Sequence, residues 1–160
     1  MLIKNRRSAH PSGRLARYVC LSIFLACASF RIEPTIHDLA EQTQIKLNSL
    51  HSVDPLIRKY EVFLSDEGFL RYRKTLLNGK QEYYSCNVSK LKSIDYLGNT
   101  MKGNLRISTM ADDVIVQTYN DREGNIDSMA TALSIPLTSL EAEDLNAVQH
   151  NLLEIKRMLH

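Results

Sequence analysis

Phe69-Leu-Arg-Tyr-Arg-Lys-Thr-Leu-Leu-Asn78-Gly79-Lys-Gln-Glu-Tyr-Tyr-Ser-Cys-Asn87 is the stretch on which the fold turns. Two runs rich in aromatic and apolar residues flank Asn78-Gly79, a dipeptide whose members both tolerate positive φ. That is the requirement of a two-residue type I′ hairpin. The stretch therefore predicts an antiparallel pair in which 69–77 meets 80–87. Side chains alternate along a strand, so Arg71 and Arg73 share one face and Tyr72 takes the other.

Working outward, the same period of two runs from Arg58 to Pro136. Tyr60 to Ser65 reads as a strand that reaches Phe69 through the turn Asp66-Glu67-Gly68. Leu91 to Tyr96, Leu105 to Met110 and Val114 to Tyr119 read as further strands. Ile126 to Ile135 completes the set, with Ser128, Ala130, Ala132 and Ser134 on one face, and Pro136 is expected to stop it. Upstream, Ile36, Leu39, Ala40, Leu47 and Leu50 have helical spacing behind an N-cap at Thr35, with Asp38 close to a capping box. That helix should end before Asp54-Pro55. Downstream, Thr138-Ser-Leu-Glu141 reads as a capping box. Leu145, Val148, Leu152, Ile155 and Leu159 then form an apolar stripe, which suits packing on the sheet or a short dimer seam. The fold class is α+β, with an N-terminal helix, six or seven antiparallel strands and a C-terminal amphipathic helix. This order of elements resembles that of pleckstrin-homology-like barrels. The resemblance implies a PH-like barrel and, by analogy alone, a lipid- or peptide-binding role.

The first 28 residues form a leader. Lys4, Arg6, Arg7, Arg14 and Arg17 precede the apolar run Tyr18 to Phe30, and no acid occurs before Glu33. Ala26-Cys27-Ala28 has the small-x-small pattern that signal peptidases cut. The run has 13 residues, short of the ~20 that a membrane span needs. Phe24-Leu25-Ala26-Cys27 also offers Cys27 as a lipidation site, and an Arg-rich organellar presequence is a third reading. The expected organisation is a leader at 1–28, a helical segment at 29–57 and an antiparallel domain at 58–160. Export to a periplasm or the cell exterior is the expected address, with lipid anchoring to the envelope through Cys27 as the alternative.

Removing the leader changes the charge. The whole chain is formally +2, but five of its 20 cations and none of its 18 acids lie in those 28 residues. The body is thus mildly acidic, which argues against nucleic-acid binding. Its charge is also divided. Residues 58–106 hold ten cations against five acids, and residues 107–160 hold three against nine. Arg71, Arg73, Lys74, Lys90 and Lys92 are the candidate binding cations, suited to an acidic protein, an anionic glycan or a lipid headgroup. Their ordinary alternative is a solvated sheet face.

Other chemistry is sparse. Asp121, Glu123, Asn125 and Asp127 place oxygen ligands at alternate positions around Gly124, as a calcium loop would, although a hairpin connection explains the same residues. Asp112-Asp113 is an acidic pair of the kind that can divide acid and base roles, or a turn. Cys86 reads as a small buried hydrophobe. No HExxH, GxSxG or Walker motif occurs. These features predict an exported, non-catalytic binding or structural module, monomeric or dimeric, with no cofactor. A small exported hydrolase or metal-dependent enzyme using the acids near 112–127 is the alternative.

Overall fold

The computed structural model describes residues 33–52 and 54–160, so the leader and Cys27 lie outside the described residues. Helix α1, Ile36–Ser49, begins with the expected cap. The Thr35 hydroxyl accepts the Asp38 N–H at 3.2 Å, and the Asp38 carboxylate accepts the Thr35 N–H at 2.9 Å. Eight strands follow: β1 Ile57–Leu64, β2 Phe69–Leu76, β3 Gln81–Asn87, β4 Leu91–Gly98, β5 Lys102–Thr109, β6 Val114–Tyr119, β7 Asp127–Ala130 and β8 Ala132–Thr138. A 3-10 turn, Val88–Lys90, joins β3 to β4, and helix α2, Ala142–Met158, ends the chain. The α+β class and element order are as expected, but the strands form two antiparallel sheets, β1-β2-β3-β6-β7 and β4-β5-β8.

The central hairpin forms with a different turn from the one expected. Gly79 alone has a positive φ, +86°. Its N–H bonds to Leu76 C=O at 3.0 Å, and Leu76 N–H bonds to Lys80 C=O at 2.8 Å. The loop is therefore Leu77-Asn78-Gly79, three residues closing on a left-handed glycine. Asn78 Oδ1 accepts the Lys80 N–H at 3.0 Å, which stabilises the longer turn. The β1–β2 loop repeats the device, with Gly68 at φ +77°. The extra residue sets Tyr72 opposite Tyr84 and Arg73 opposite Tyr83, whereas a two-residue turn would set Tyr72 opposite Ser85.

Two further expectations are corrected. The run from Ile126 to Ile135 is not one strand: it breaks at Thr131, with β7 in the larger sheet and β8 in the smaller. Pro136 lies inside β8 rather than ending it. Its carbonyl faces outward to Ser52 N–H at 2.9 Å, so the N–H that proline lacks would also have faced outward and no ladder bond is lost. Thr138 is the last residue of β8, and α2 starts from Glu141 with no side-chain cap.

Pro34–His160 form one compact unit. Its core is built from α1 (Leu39, Leu47), the inward faces of both sheets (Val62, Leu70, Leu105, Ile107, Ile135) and the α2 stripe (Val148, Leu152, Ile155). That stripe is covered within the domain by burial of its central residues. No helix among the described residues is long and apolar enough to cross a membrane.

Sheet edges carry unpaired backbone groups that proteins usually cover, and three of the four edges here are covered by specific bonds. Along β1, Asn48 takes both Val62 backbone groups, at 2.9 and 2.7 Å, and Gln44 takes the Leu64 N–H at 3.1 Å. Along β4, Gln149 bonds Ile94 C=O and Lys156 bonds Leu91 C=O. Along β8, residues 50–52 lie as a strap, with Thr138 N–H on Leu50 C=O at 2.7 Å and His51 bridged to Leu137.

Candidate docking face

The two sheets turn unlike faces outward. On the smaller sheet the outward rows are Asp95, Arg106 and Ser134, then Ser93, Ser108 and Ala132. Leu97, at the hairpin end, is the large apolar side chain exposed within these strands, and Met101 and Met110 are exposed in the loops just beyond the two ends of β5. On the larger sheet the register aligns Phe63, Arg71, Ser85, Ile115 and Met129 in one outward row. The next row is Glu61, Arg73, Tyr83, Gln117 and Asp127, and Phe69 and Tyr119 lie at the ends of the same face. Phe63, Phe69, Ile115, Tyr119 and Met129 are between 39% and 55% exposed. Scattered apolar side chains are ordinary on a protein surface, but grouping on one face marks a contact region.

The two arginines on this face differ. Arg73 is held by an ion pair to Glu61, donates from Nη1 to the Tyr83 hydroxyl at 3.5 Å and lies 5.7 Å above the Tyr83 ring. Tyr83 packs edge-on against Tyr119 at 5.1 Å. Arg71 is exposed between Phe63 and Ser85 and forms no salt bridge among the described residues. Together with Glu61, Phe63 and Tyr83, the arginines line a shallow depression of about 190 Å³. Phe63 also borders a wider hollow of about 420 Å³ beside α1, where exposed His37 pairs with Asp66 at 3.1 Å. The hydrogen bond and charge of Asp66 raise the His37 pKa.

The five candidate cations do not share one surface. Arg71 and Arg73 lie on the outward face, Lys74 points to the opposite face and pairs with Glu82 at 2.8 Å, Lys90 ends the 3-10 turn, and Lys92 sits at the β4 bulge. Tyr72 faces inward, opposite the arginines as the alternation predicts, and Tyr84 joins it, while Tyr83 and Tyr119 lie on the arginines' face.

Beneath the sheet, Tyr72 and Tyr84 belong to a polar cluster. His51 stacks on Tyr60 at 3.4 Å, and its Nε2 lies 2.9 Å from the Tyr72 hydroxyl. Tyr84 donates to Glu82 at 3.1 Å, with Lys74 and Lys80 on the same carboxylate. Burial pushes the Tyr84 pKa up to about 12 and raises that of Tyr72 further. Cys86 is buried, and its thiol is likewise raised to about 12, so it stays protonated at neutral pH and is a poor nucleophile.

Of the four candidate calcium ligands, Asp121 and Asn125 bond within the loop itself. Asp121 pairs with Lys80 at 2.7 Å and accepts the Glu123 N–H, Asn125 accepts the Asp121 N–H, and Asp127 lies on β7. Lys80 holds the Asp121 pKa low. Among the described residues no three His, Cys, Asp or Glu side chains converge as a metal site would require. Asp113 caps its own turn by accepting the Ala111 N–H. His37, His51 and His160 make their contacts elsewhere, with Asp66, Tyr72 and Ser89.

The fold and face thus define a two-sheet α+β domain with one largely polar surface and one on which exposed apolar side chains lie among charges of both signs. No protein-family model matches the chain, and comparison with the curated proteins and with the solved structures found no match.

Proposed function

We propose that this protein is an exported, non-catalytic docking module that binds a partner protein through the outward face of the five-stranded sheet. One observation carries the reading: five large apolar side chains are exposed on the one face that carries Arg71, while the strand rows of the other sheet's outward face are mostly polar. Aromatic and arginine side chains contribute most per residue at protein interfaces. The partner segment presents a carboxylate to Arg71, set among apolar side chains. An anionic membrane fits less well, because Glu61 neutralises Arg73 and Asp127 offsets one of the two other cations of the face, Lys59 and Arg71. The leader, with five cations, no acids and an apolar run that contains Ala26-Cys27-Ala28, supports export.

The test is photocrosslinking in the source cells from a reactive residue placed at Ile115, compared with one at Ser134 on the polar face. The proposal expects a discrete adduct from position 115 that Arg71→Glu diminishes. Equal yields from both positions, or none from position 115, would contradict it.

A further inference from the structure

We infer that the open edge of β7 accepts an extended segment of the partner as an added strand, aligned so that a cation of that segment meets Asp127. The inference rests on the docking reading above and specifies how the partner is held. The edges of β1, β4 and β8 are closed by side chains or by the 50–52 strap, whereas no hydrogen bond among the described residues covers the outer side of β7. The Thr118 N–H bonds Ile126 C=O at 2.9 Å. The antiparallel alternation that follows directs Ser128 and Ala130 toward β6 and turns the backbone groups of Asp127 and Met129 outward. Each of those two residues offers an N–H and a C=O to an incoming strand, the mode by which extended peptides join sheets.

Side chains set the partner's chemistry. Asp127 and Met129 both point to the docking face, and Met129 is 55% exposed. Asp127 faces Gln117 across the ladder and has no ion pair among the described residues. A strand laid here would place one residue beside Asp127 and another, two positions along, beside Met129. Lys or Arg fits the first place and an apolar residue the second. A second copy of this chain fits poorly. Same-face antiparallel pairing of β7 with itself sets Asp127 against Asp127, Met129 or Thr131, and none is a cation.

The test is to pan a phage library of short random peptides on the full chain and compare enriched peptides on Met129→Pro. Proline removes the outward N–H without breaking a bond to β6. Enriched peptides should carry Lys or Arg two positions from an apolar residue and bind Met129→Pro at least about tenfold more weakly. Asp127→Lys is the second variant, and it should switch the selected cation to an acid even if the proline variant folds poorly. Peptides that lose affinity on Arg71→Glu but not on Met129→Pro or Asp127→Lys would overturn strand addition while leaving the docking face intact. Absence of enrichment, or indifference to all three substitutions, would overturn both. Self-association abolished by Met129→Pro would overturn the assignment to a foreign segment.

Discussion

His51 Nε2 lies 2.9 Å from the Tyr72 hydroxyl, and this bond joins the two sheets. The His51 backbone bridges to Leu137 in the smaller sheet while its ring stacks on Tyr60 and bonds Tyr72 in the larger one. Its Nδ1 is buried without a hydrogen-bond partner.

Acid should loosen this junction. Burial lowers the His51 pKa from its ordinary 6.5, and Lys74 adds to the effect, while the Ser52 backbone and Asp54 oppose it. The unfolded chain therefore takes up the proton first. Stability from this group is complete above pH 6.5 and declines as pH falls toward the lower folded value. Thermal unfolding followed between neutral and mildly acidic pH should show that decline, and His51→Gln should flatten it while costing about 1–3 kcal/mol at neutral pH. An unchanged slope in the variant would assign the acid sensitivity to other groups.

Asn48 closes the β1 edge, so Asn48→Ala should leave the N–H and C=O of Val62 without these partners. Loss of about 1–3 kcal/mol in denaturant unfolding is expected. Aggregation should increase as well, since an uncovered edge invites pairing. Equal stability of the variant would mean that water replaces the side chain without cost.

Two loop glycines should respond unequally to alanine. Both have positive φ, but a Cβ on Gly79 meets nothing within 4 Å, whereas one on Gly68 would lie 2.4 Å from Leu159 Cδ1. Gly79→Ala should cost about 1 kcal/mol from the backbone alone. Gly68→Ala should cost more, because the Leu159 side chain just beyond α2 must also move aside, and chemical denaturation of the two variants compares them directly.

How far these features were legible in the chain depends on the signal involved. Asn78-Gly79 announced a turn, and Thr35 with Asp38 announced a helix start, because both devices are local. The number of residues in the turn was not legible. Asn-Gly suits a two-residue loop and equally a three-residue loop ending on glycine, and the difference of one residue sets which side chains stand opposite one another. Arg71 and Arg73 were therefore visible as a pair, while the row they form with Phe63, Ile115 and Met129 needed the register of four strands. The change of sheet at Thr131 left no mark in the alternation, since the period continues through it. Gln44 and Asn48 are polar helix positions that carry no local signal of a partner. Their bonds to β1 depend on where the helix lies.

N-terminal analysis and intact mass of the native protein check the leader. A start at Ser29 is expected for cleavage after Ala28, and a lipid on Cys27 would instead establish an anchored form. Retention of Met1 would contradict export by a cleaved leader.

The docking face is tested most directly by measuring the affinity of the partner crosslinked at position 115 for the wild-type chain, Arg71→Glu and Arg106→Glu. Arg106 lies on the polar face of the smaller sheet, opposite Asp95 and Ser134. The account predicts that Arg71→Glu weakens binding at least about tenfold, ~1.4 kcal/mol, while Arg106→Glu leaves it unchanged. Equal losses from both substitutions, or no loss from Arg71→Glu, would contradict it.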